Sequence, residues 1–276
     1  MATQSLGIGL IGCGAIGSVL ARAVDRGTVG DIKLIAVFDI IQGRAEKLAE
    51  SLKSRPAVAH SLEELISMHR IQLVLEAGSQ AALRESVIKT IKSGKDLMAM
   101  SVGALIDPQL FNQVQEALTQ TGRKLYCPSG AIAGLDGIKA AVMEKVESVT
   151  LTTTKPPLGL AGAPGIRHLD LGKIKKATEV FKGPADEACR LFPHNVNVAA
   201  SLSLAGIGPK RTIVRIIADP AVDKNIHEIE LKGDFGVLRT RIENVPSPEN
   251  PKTSYMAILS ALATLKKLTQ QTQVGT

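Results

Sequence analysis

The sequence predicts an α/β protein in which a doubly wound parallel sheet is followed by a second, smaller α+β domain. Apolar strand-like runs alternate with helical stretches from Leu6 to about residue 130. A glycine-rich turn follows the first of these runs. Beyond residue 146 the pattern changes to β-branched, alternating strands. We therefore expect one domain over residues 1–130, a second over 131–251, and a closing helix over 252–276 that packs back on the first domain.

The first strand, Leu6–Ile11, leads through a GxGxxG turn into a helix. Gly12 allows the tight turn, Gly14 lets the backbone approach a pyrophosphate, and Gly17 lets helix and strand pack closely. The backbone N–H groups at the helix start, at Ala15 and Ile16, then face the phosphates. This order of strand, glycines and helix is typical of a Rossmann-type domain that binds NAD or NADP.

The second strand, Lys33–Phe38, ends at Asp39, about 20 residues after the last glycine, where a ribose-binding acid is expected. A carboxylate there accepts hydrogen bonds from the ribose hydroxyls and repels a 2′-phosphate, which favours NAD over NADP. Arg44 lies nearby and keeps the use of NADP open. The alternative is that Asp39 only caps the following helix and the glycine turn holds no ligand.

Further βα units follow, and small residues stand where their strands end. Gly78, Ser101 and Val102 occupy such ends, where a nicotinamide ribose would need room. Each could equally belong to an ordinary turn. The predicted strands are 73–79, 96–100 and 124–127, and the predicted helices are 81–93 and 108–121.

The second half begins with a predicted crossing helix over residues 138–146. Lys155 follows the first strand and could meet a substrate carboxylate, although a solvated lysine at a strand end is common. Asn195 and Asn197 open a helix, where either could bind substrate or simply cap the helix. The predicted strands are 148–154, 211–218, 225–232 and 235–243. The predicted helices are 186–191, 195–205 and 254–268. A loop is predicted over 158–165, and a linker that prolines stiffen is predicted over 246–251.

The strand over residues 225–232 carries a histidine on its apolar face. Period-two alternation places His227 with Ile229 and Leu231, whereas Glu228 and Glu230 take the other face. An imidazole in this position is either a core histidine with a satisfied hydrogen bond or a catalytic group that looks into a cleft. The pattern alone leaves both interpretations open.

Composition excludes several classes of function. The chain has 276 residues and a net charge of +7, but its basic residues are dispersed and it has no Trp, which argues against nucleic-acid binding. No apolar run is long enough to span a membrane, and the start lacks a secretory signal. The three cysteines have neither metal-ligand nor disulfide spacing. We expect a cytoplasmic protein with reduced thiols and no metal site.

At this point the sequence resembles the L-aspartate dehydrogenase family along nearly its whole length. The resemblance implies the oxidation of L-aspartate, with NAD or NADP, to iminosuccinate, which hydrolyses to oxaloacetate and ammonia or feeds NAD biosynthesis. It rests on the glycine turn 12–17 and on five further segments, namely 100–105, 128–134, 154–157, 192–199 and 218–220 with 225–227.

The resemblance also assigns roles to individual residues. It implies that His227, in its Asn-x-His context, is the active-site histidine, and that Ala131 and Asn197 contact the nucleotide. His194 is the second choice for the active-site histidine, and we place it with Lys155 and Asn195 among the predicted substrate-binding residues. A histidine suits this chemistry because a proton acceptor that titrates near neutrality must take the proton of the substrate amine.

Two alternatives remain at this stage. The first is a related two-domain NAD(P) oxidoreductase, of the homoserine or dihydrodipicolinate type, that shares the front half and uses another substrate. The second is a protein that senses NAD without turnover. We also expect a homodimer, because a sheet with one open face in the second domain is a natural place for two copies to meet.

Overall fold

The computed structural model describes residues 5–193, 197–248 and 250–275. The chain divides into two compact units. The first comprises Met1–Pro128 and Ile258–Gln273, and the second comprises Ser129–Ala257 with Val274–Thr276. Within the described ranges, no helix combines the length and the apolar character that a membrane span requires.

The first unit contains a six-stranded sheet in which every neighbouring pair of strands is parallel. The strand order is β3-β2-β1-β4-β5-β6, so the chain reverses its direction of winding between β1 and β4. This confirms the predicted doubly wound sheet, with one strand, β3, that the sequence analysis did not predict. The strands are β1 (Leu6–Ile11), β2 (Ile32–Phe38), β3 (Ala57–Val58), β4 (Leu73–Glu76), β5 (Asp96–Ala99) and β6 (Leu125–Tyr126).

The helices between β1 and β6 connect successive parallel strands, because a parallel pair needs a crossover connection. Helix α5 shows how local sequence sets their ends. Asp107 accepts hydrogen bonds from the N–H groups of Gln109 and Leu110, Pro108 occupies the first turn, and Gly122 ends the helix in a left-handed conformation. The helices are α1 (Ala15–Asp25), α2 (Gln42–Ser51), α3 (Leu62–Ser67), α4 (Gln80–Lys92) and α5 (Pro108–Thr121).

The C-terminal helix, Tyr255–Thr269, contributes to the core of the first unit. Its buried residues Ile258, Ala261 and Leu265 recur at intervals of three and four, which places them on one face. They belong to the same apolar cluster as Leu10 of β1 and Leu20 of α1. The last helix therefore completes a core that the first residues of the chain begin.

The second unit is built on a five-stranded mixed sheet in the order β11-β10-β7-β9-β8. Only β7 and β9 are parallel; the other neighbours are antiparallel. The strands are β7 (Val146–Lys155), β8 (Thr178–Pro184), β9 (Thr212–Ala218), β10 (Asn225–Gly233) and β11 (Gly236–Asn244), and the helices are α6 (Leu135–Ala141), α7 (Ala185–Leu191) and α8 (Asn197–Ala205).

Two segments of this unit differ from the sequence prediction. Helix α6 ends at Ala141, and Val146, which lies in the predicted helix 138–146, instead begins β7 because this buried β-branched residue pairs with Gly233. The proline-rich segment 246–251 is not a plain linker, since Pro246–Ser247 (β12) pairs with Asn250–Ser254 (β13). Prolines are compatible with such a short, two-stranded edge.

Candidate active site

The three glycines of the first turn differ in what their surroundings permit. Gly12 has φ +91°, and a Cβ atom there would come within 2.6 Å of the Gly78 nitrogen. A Cβ atom on Gly17 would overlap the carbonyl oxygen of Gly12. Gly14, by contrast, has no atom within 4 Å of the position of a Cβ. Packing thus requires two of the glycines, whereas the third leaves the backbone open to an approaching ligand.

Helix α1 starts directly at this opening. Its first residues, Ala15 and Ile16, are half-buried, and Gly14 precedes them without a side chain that could cap the helix. The first N–H groups of a helix have no partner within the helix, and they carry partial positive charge. This end of α1 can therefore accept an anionic group such as a pyrophosphate.

Asp39 ties the end of β2 to the glycine turn. Its Oδ2 accepts a hydrogen bond from the Cys13 N–H at 2.8 Å, and its Oδ1 accepts one from the Ile41 N–H at 2.8 Å. Helix α2 begins after Ile41, so Asp39 does not cap it. The carboxylate is 9% exposed and holds a fixed orientation.

A cavity of about 470 Å³ lies beside Asp39. Gly12, Ile40 and Arg44 line it together with His60 and residues at the start of α4. Its size is in the range of small-ligand sites. The exposed side chain of Ile40, at 85%, offers an apolar surface on which a flat ring could lie.

The ends of β4 and β5 meet at a buried carboxylate that the sequence analysis passed over. Glu76, the last residue of β4, is 0% exposed. Its Oε1 accepts hydrogen bonds from the Gly78 N–H (2.9 Å) and the Ser101 hydroxyl (2.8 Å), and its Oε2 accepts one from the Ser101 N–H (3.0 Å). Burial raises the pKa of Glu76, and these hydrogen bonds oppose the rise. A carboxylate at the end of an all-apolar strand was the signal that could have identified it.

Two of the three predicted residues at this edge are buried beside Glu76. Ser101 is 7% exposed, Val102 begins a short 3-10 turn over Val102–Ile106, and Gly78 remains exposed. The structure therefore brings Gly78 and Ser101 together through one carboxylate. The Ser101 hydroxyl donates its hydrogen bond to Glu76, so its O–H group is not available to donate to a ligand.

In the second unit, His227 lies on β10 directly opposite Thr153 of β7. The imidazole is 4% exposed, and its Nδ1 is 2.9 Å from the Thr153 hydroxyl oxygen. Lys155 lies two residues beyond Thr153 in the same strand, and alternation places both side chains on the same face. Thr153 was not among the predicted site residues, because only the strand register brings it to the histidine.

The two ionisable side chains at this position, Lys155 and His227, both have lowered pKa values. Burial lowers the pKa of Lys155 to about 8, since a charged ammonium loses its water. Burial, and after it the positive charge of Lys155, lowers the pKa of His227 to about 3. The imidazole is therefore neutral at neutral pH, in contrast to the titration near neutrality that we expected from the sequence.

The remaining predicted residues are distributed around the second unit. The carbonyl oxygen of the buried Ala131 accepts a hydrogen bond from Asn244 Nδ2 at 3.1 Å, and Asn244 is another residue that the sequence analysis missed. Asn197 is exposed and is the first residue of α8. His194 and Asn195 lie outside the described residues.

Comparison with known proteins assigns each half of the chain to a domain family. Residues 136–268 match the family model "Aspartate dehydrogenase, C-terminal". Residues 12–128 match the model "Homoserine dehydrogenase, NAD binding domain". The two matches together cover most of the chain.

Full-length relatives agree with this assignment. The chain is 50% identical to the L-aspartate dehydrogenase of Methanosarcina barkeri over 273 residues, which cover 98% of this chain and 100% of the relative. It is 49% identical to that of Methanosarcina mazei with the same coverage. Among solved structures, the aspartate dehydrogenase of Thermotoga maritima matches with a TM-score of 0.79 at 27% identity, and the match covers 99% of this chain and 100% of that one.

Proposed function

Because the chain belongs to the L-aspartate dehydrogenase family, its reaction is the NAD(P)-dependent oxidation of L-aspartate, and we propose that His227, Thr153 and Lys155 form its substrate site. The observation that carries this proposal is the burial of two ionisable side chains next to each other in the second unit. Buried groups with strongly shifted pKa values are concentrated at catalytic sites. We assign the first unit to the dinucleotide and the second to the substrate.

The residues of the first unit fit a dinucleotide. The open position at Gly14 and the start of α1 would hold the pyrophosphate, and Asp39 would accept hydrogen bonds from the adenosine ribose. The cavity of about 470 Å³ would take the adenosine. A nicotinamide held by these residues would supply the hydride acceptor for oxidation at the aspartate Cα. A preference for NAD follows from the fixed carboxylate of Asp39, while Arg44 in the same cavity would permit NADP.

His227 serves as the acid/base group in this proposal. We propose the tautomer in which Nδ1 carries the proton and donates to the Thr153 hydroxyl oxygen, 2.9 Å away, so that the lone pair of Nε2 is left for the substrate. A neutral imidazole is able to take a proton from the aspartate ammonium. Two substrate carboxylates offset the charge of Lys155, so substrate binding raises the pKa of His227 and makes it a stronger base.

Lys155 binds a carboxylate of the substrate in this proposal. An ammonium that is 7% exposed has lost most of its hydration, so an anionic partner gains more there than at the surface. Its lowered pKa sets a limit, because the group loses its charge above about pH 8 unless an anion is bound. Ala131 and Asn197 are proposed to contact the nucleotide, as the family resemblance implies, and His194 and Asn195 remain predicted substrate contacts.

The proposal is tested by measuring NADH formation at alkaline pH with L-aspartate and a panel of other amino acids. We expect turnover with L-aspartate, and a decrease of about a hundredfold or more in His227→Ala, with NAD affinity unchanged. Near-normal turnover of this variant would contradict the role of His227. If homoserine were oxidised instead, the chain would be the related oxidoreductase. NAD binding without oxidation of any amino acid would identify a sensor.

The role of Lys155 is tested with succinate, a dicarboxylate without an amine that could titrate. The inhibition constant of succinate against L-aspartate should increase above about pH 8, because the free Lys155 then loses its proton. In Lys155→Met, binding should be about tenfold weaker at pH 7 and independent of pH between 7 and 9. The same steep pH dependence in both proteins would exclude Lys155 as the carboxylate ligand.

We further propose that the chain acts as a homodimer in the cytoplasm. One face of the second unit's sheet lines a cavity and carries both signs of charge, including Arg215, Arg241 and Glu228, of which Arg241 and Glu228 form an ion pair. Such a face is complementary to a second copy of itself related by a two-fold axis. Arg241→Glu should then yield monomers in analytical ultracentrifugation.

The three cysteines are free thiols, which suits a reducing compartment such as the cytoplasm, and cell fractionation tests this location.

A further inference from the structure

The buried carboxylate of Glu76 has no part in the proposed chemistry, yet it lies at the carboxyl end of β4. In a doubly wound sheet the two halves each bind one half of a dinucleotide, at the carboxyl ends of their strands. Strands β4 to β6 make up the second of these halves. The proposed function places the adenosine ribose at Asp39, after β2 in the first half, so the second half remains for the nicotinamide.

Glu76 accepts hydrogen bonds from both loops that leave this half of the sheet. The Gly78 N–H after β4 donates to Oε1, and the Ser101 N–H after β5 donates to Oε2. The Ser101 hydroxyl adds a second donor to Oε1. Each oxygen thus fixes the backbone of a different loop. At 0% exposure, the carboxylate is screened from water and holds both loops in one arrangement.

One of these loops also packs against the glycine turn. A Cβ atom placed on Gly12 would lie 2.6 Å from the Gly78 nitrogen and 2.7 Å from the carbonyl carbon of Ala77. A shift of the Gly78 turn would therefore change the space beside the glycine turn. The position of a ligand that spans both halves depends on this contact.

We propose that Glu76 is a positioning residue for the nicotinamide half of the dinucleotide, because it fixes the Gly78 turn and Ser101 at the carboxyl edge of the sheet. This inference rests on the proposed function, in which the first unit binds NAD or NADP. A residue that fixes the position of ligand-binding groups through hydrogen bonds affects affinity although it does not contact the ligand. Glu76 acts in this way through two backbone segments.

The same unit offers a matched control at the opposite edge of the sheet. Asp25, at the end of α1, also accepts hydrogen bonds from two backbone N–H groups, those of Lys53 (2.9 Å) and Ser54 (2.8 Å). Helix α1 begins at the carboxyl edge of the sheet, so its end lies at the amino edge, away from the strand ends that bind ligands. Asp25→Asn therefore makes the same chemical change without disturbing the dinucleotide site.

The experiment measures the dissociation constants of NAD⁺ and of ADP by isothermal titration calorimetry. Glu76→Gln keeps one acceptor oxygen but presents an amide NH₂ to one of the two backbone N–H groups. NAD⁺ should bind about tenfold more weakly to this variant. ADP lacks the nicotinamide half but would contact Gly78, which lines the cavity assigned to the adenosine, so its affinity should fall by only about twofold to threefold. Asp25→Asn should leave both constants unchanged.

Ser101→Ala is a second variant that tests the proposed role of Glu76 if Glu76→Gln does not fold. It removes only the hydroxyl donor and keeps the N–H bond to Oε2, so we expect NAD⁺ to bind about threefold more weakly, with ADP unchanged. Equal losses for NAD⁺ and ADP, or no loss for either ligand, would overturn the inference. A wild-type protein that binds neither ligand would instead refute the proposed function.

Discussion

The two units of this chain build their candidate sites from different materials. In the first unit the site consists of backbone: a glycine turn, the start of a helix and two loops that carboxylates hold in place. In the second unit it consists of side chains, because His227 and Thr153, 74 positions apart, meet across neighbouring strands. A backbone site can be recognised from a short motif, whereas a side-chain site depends on strand register.

This difference also affects stability. The site of the first unit buries the carboxylate of Glu76, but three hydrogen bonds from Gly78 and Ser101 offset the cost of this burial. The side-chain site of the second unit keeps a lysine and a histidine away from water, and both pKa values move against the charged form. The second unit thus gives up stability for its chemistry, as active sites commonly do.

The largest expected effect comes from Gly17→Ala, which tests whether packing or ligand binding requires the glycines. Its Cβ would overlap the Gly12 carbonyl oxygen, so we expect the free energy of unfolding to fall by about 3 to 4 kcal/mol. Gly14→Ala is the matched variant, since its Cβ meets no atom within 4 Å. It should unfold like the wild type and bind NAD⁺ about tenfold more weakly. Equal urea midpoints for both variants would contradict this distinction.

A smaller effect is expected from the buried lysine. The pKa of Lys155 is about 8 in the folded state and 10.5 in the reference state, so the unfolded chain binds more protons between these pH values. The contribution of Lys155 therefore makes stability rise with pH from about 8 to 10.5. Lys155→Met should be more stable by about 2 to 3 kcal/mol at pH 7, and this advantage should shrink to near zero by pH 10.5.

Chemical unfolding of both proteins at several pH values measures this difference. Burial raises the thiol pKa of the three cysteines from 9.0 to about 12, so in this range the thiols titrate in the unfolded chain and also change stability with pH. They are common to both proteins and cancel when the two curves are subtracted. A difference that stays constant from pH 7 to 10.5 would show that Lys155 does not carry the buried charge.

The smallest effect sharpens the comparison by making one substitution in each unit. Thr153→Val leaves Nδ1 of the buried His227 without its 2.9 Å partner, and should lower stability by about 1 kcal/mol. Thr90→Val removes a buried hydroxyl for which the described residues offer no hydrogen-bond partner, and should leave stability unchanged or slightly higher. Urea unfolding compares the two. If the free energy of unfolding fell more in Thr90→Val than in Thr153→Val, the site of the second unit would not depend on this side-chain hydrogen bond as proposed.

Sequence reasoning succeeded where the deciding interactions are local. Strand β1, the glycine turn and helix α5 are all specified by neighbouring residues, including the cap at Asp107 and the stop at Gly122. It also placed His227 on the buried face of β10, because alternation is a property of the strand itself. Local patterns of this kind are sufficient to predict the parallel sheet and the family.

The parts that sequence reasoning missed depend on partners distant in the chain. Strand β3 has two residues and exists through its pairing with β2. The hydrogen bonds that Glu76 accepts from Ser101 join residues 25 positions apart, and the pKa of His227 falls to about 3 because the imidazole is buried and because the charge of Lys155 lies near it. Burial and register, which no local motif encodes, decide all of these features.

The C-terminal helix has a consequence for how the protein is made. Because Ile258, Ala261 and Leu265 belong to the core around β1, the unit that contains the glycine turn cannot close until this helix has been translated. The core of the first unit therefore stays incomplete, with part of its apolar surface exposed, while the second unit is synthesised. A messenger truncated just before this helix would yield a polypeptide that retains the glycine turn and the histidine strand but lacks part of the apolar cluster to which Leu10 and Leu20 belong, which would favour aggregation.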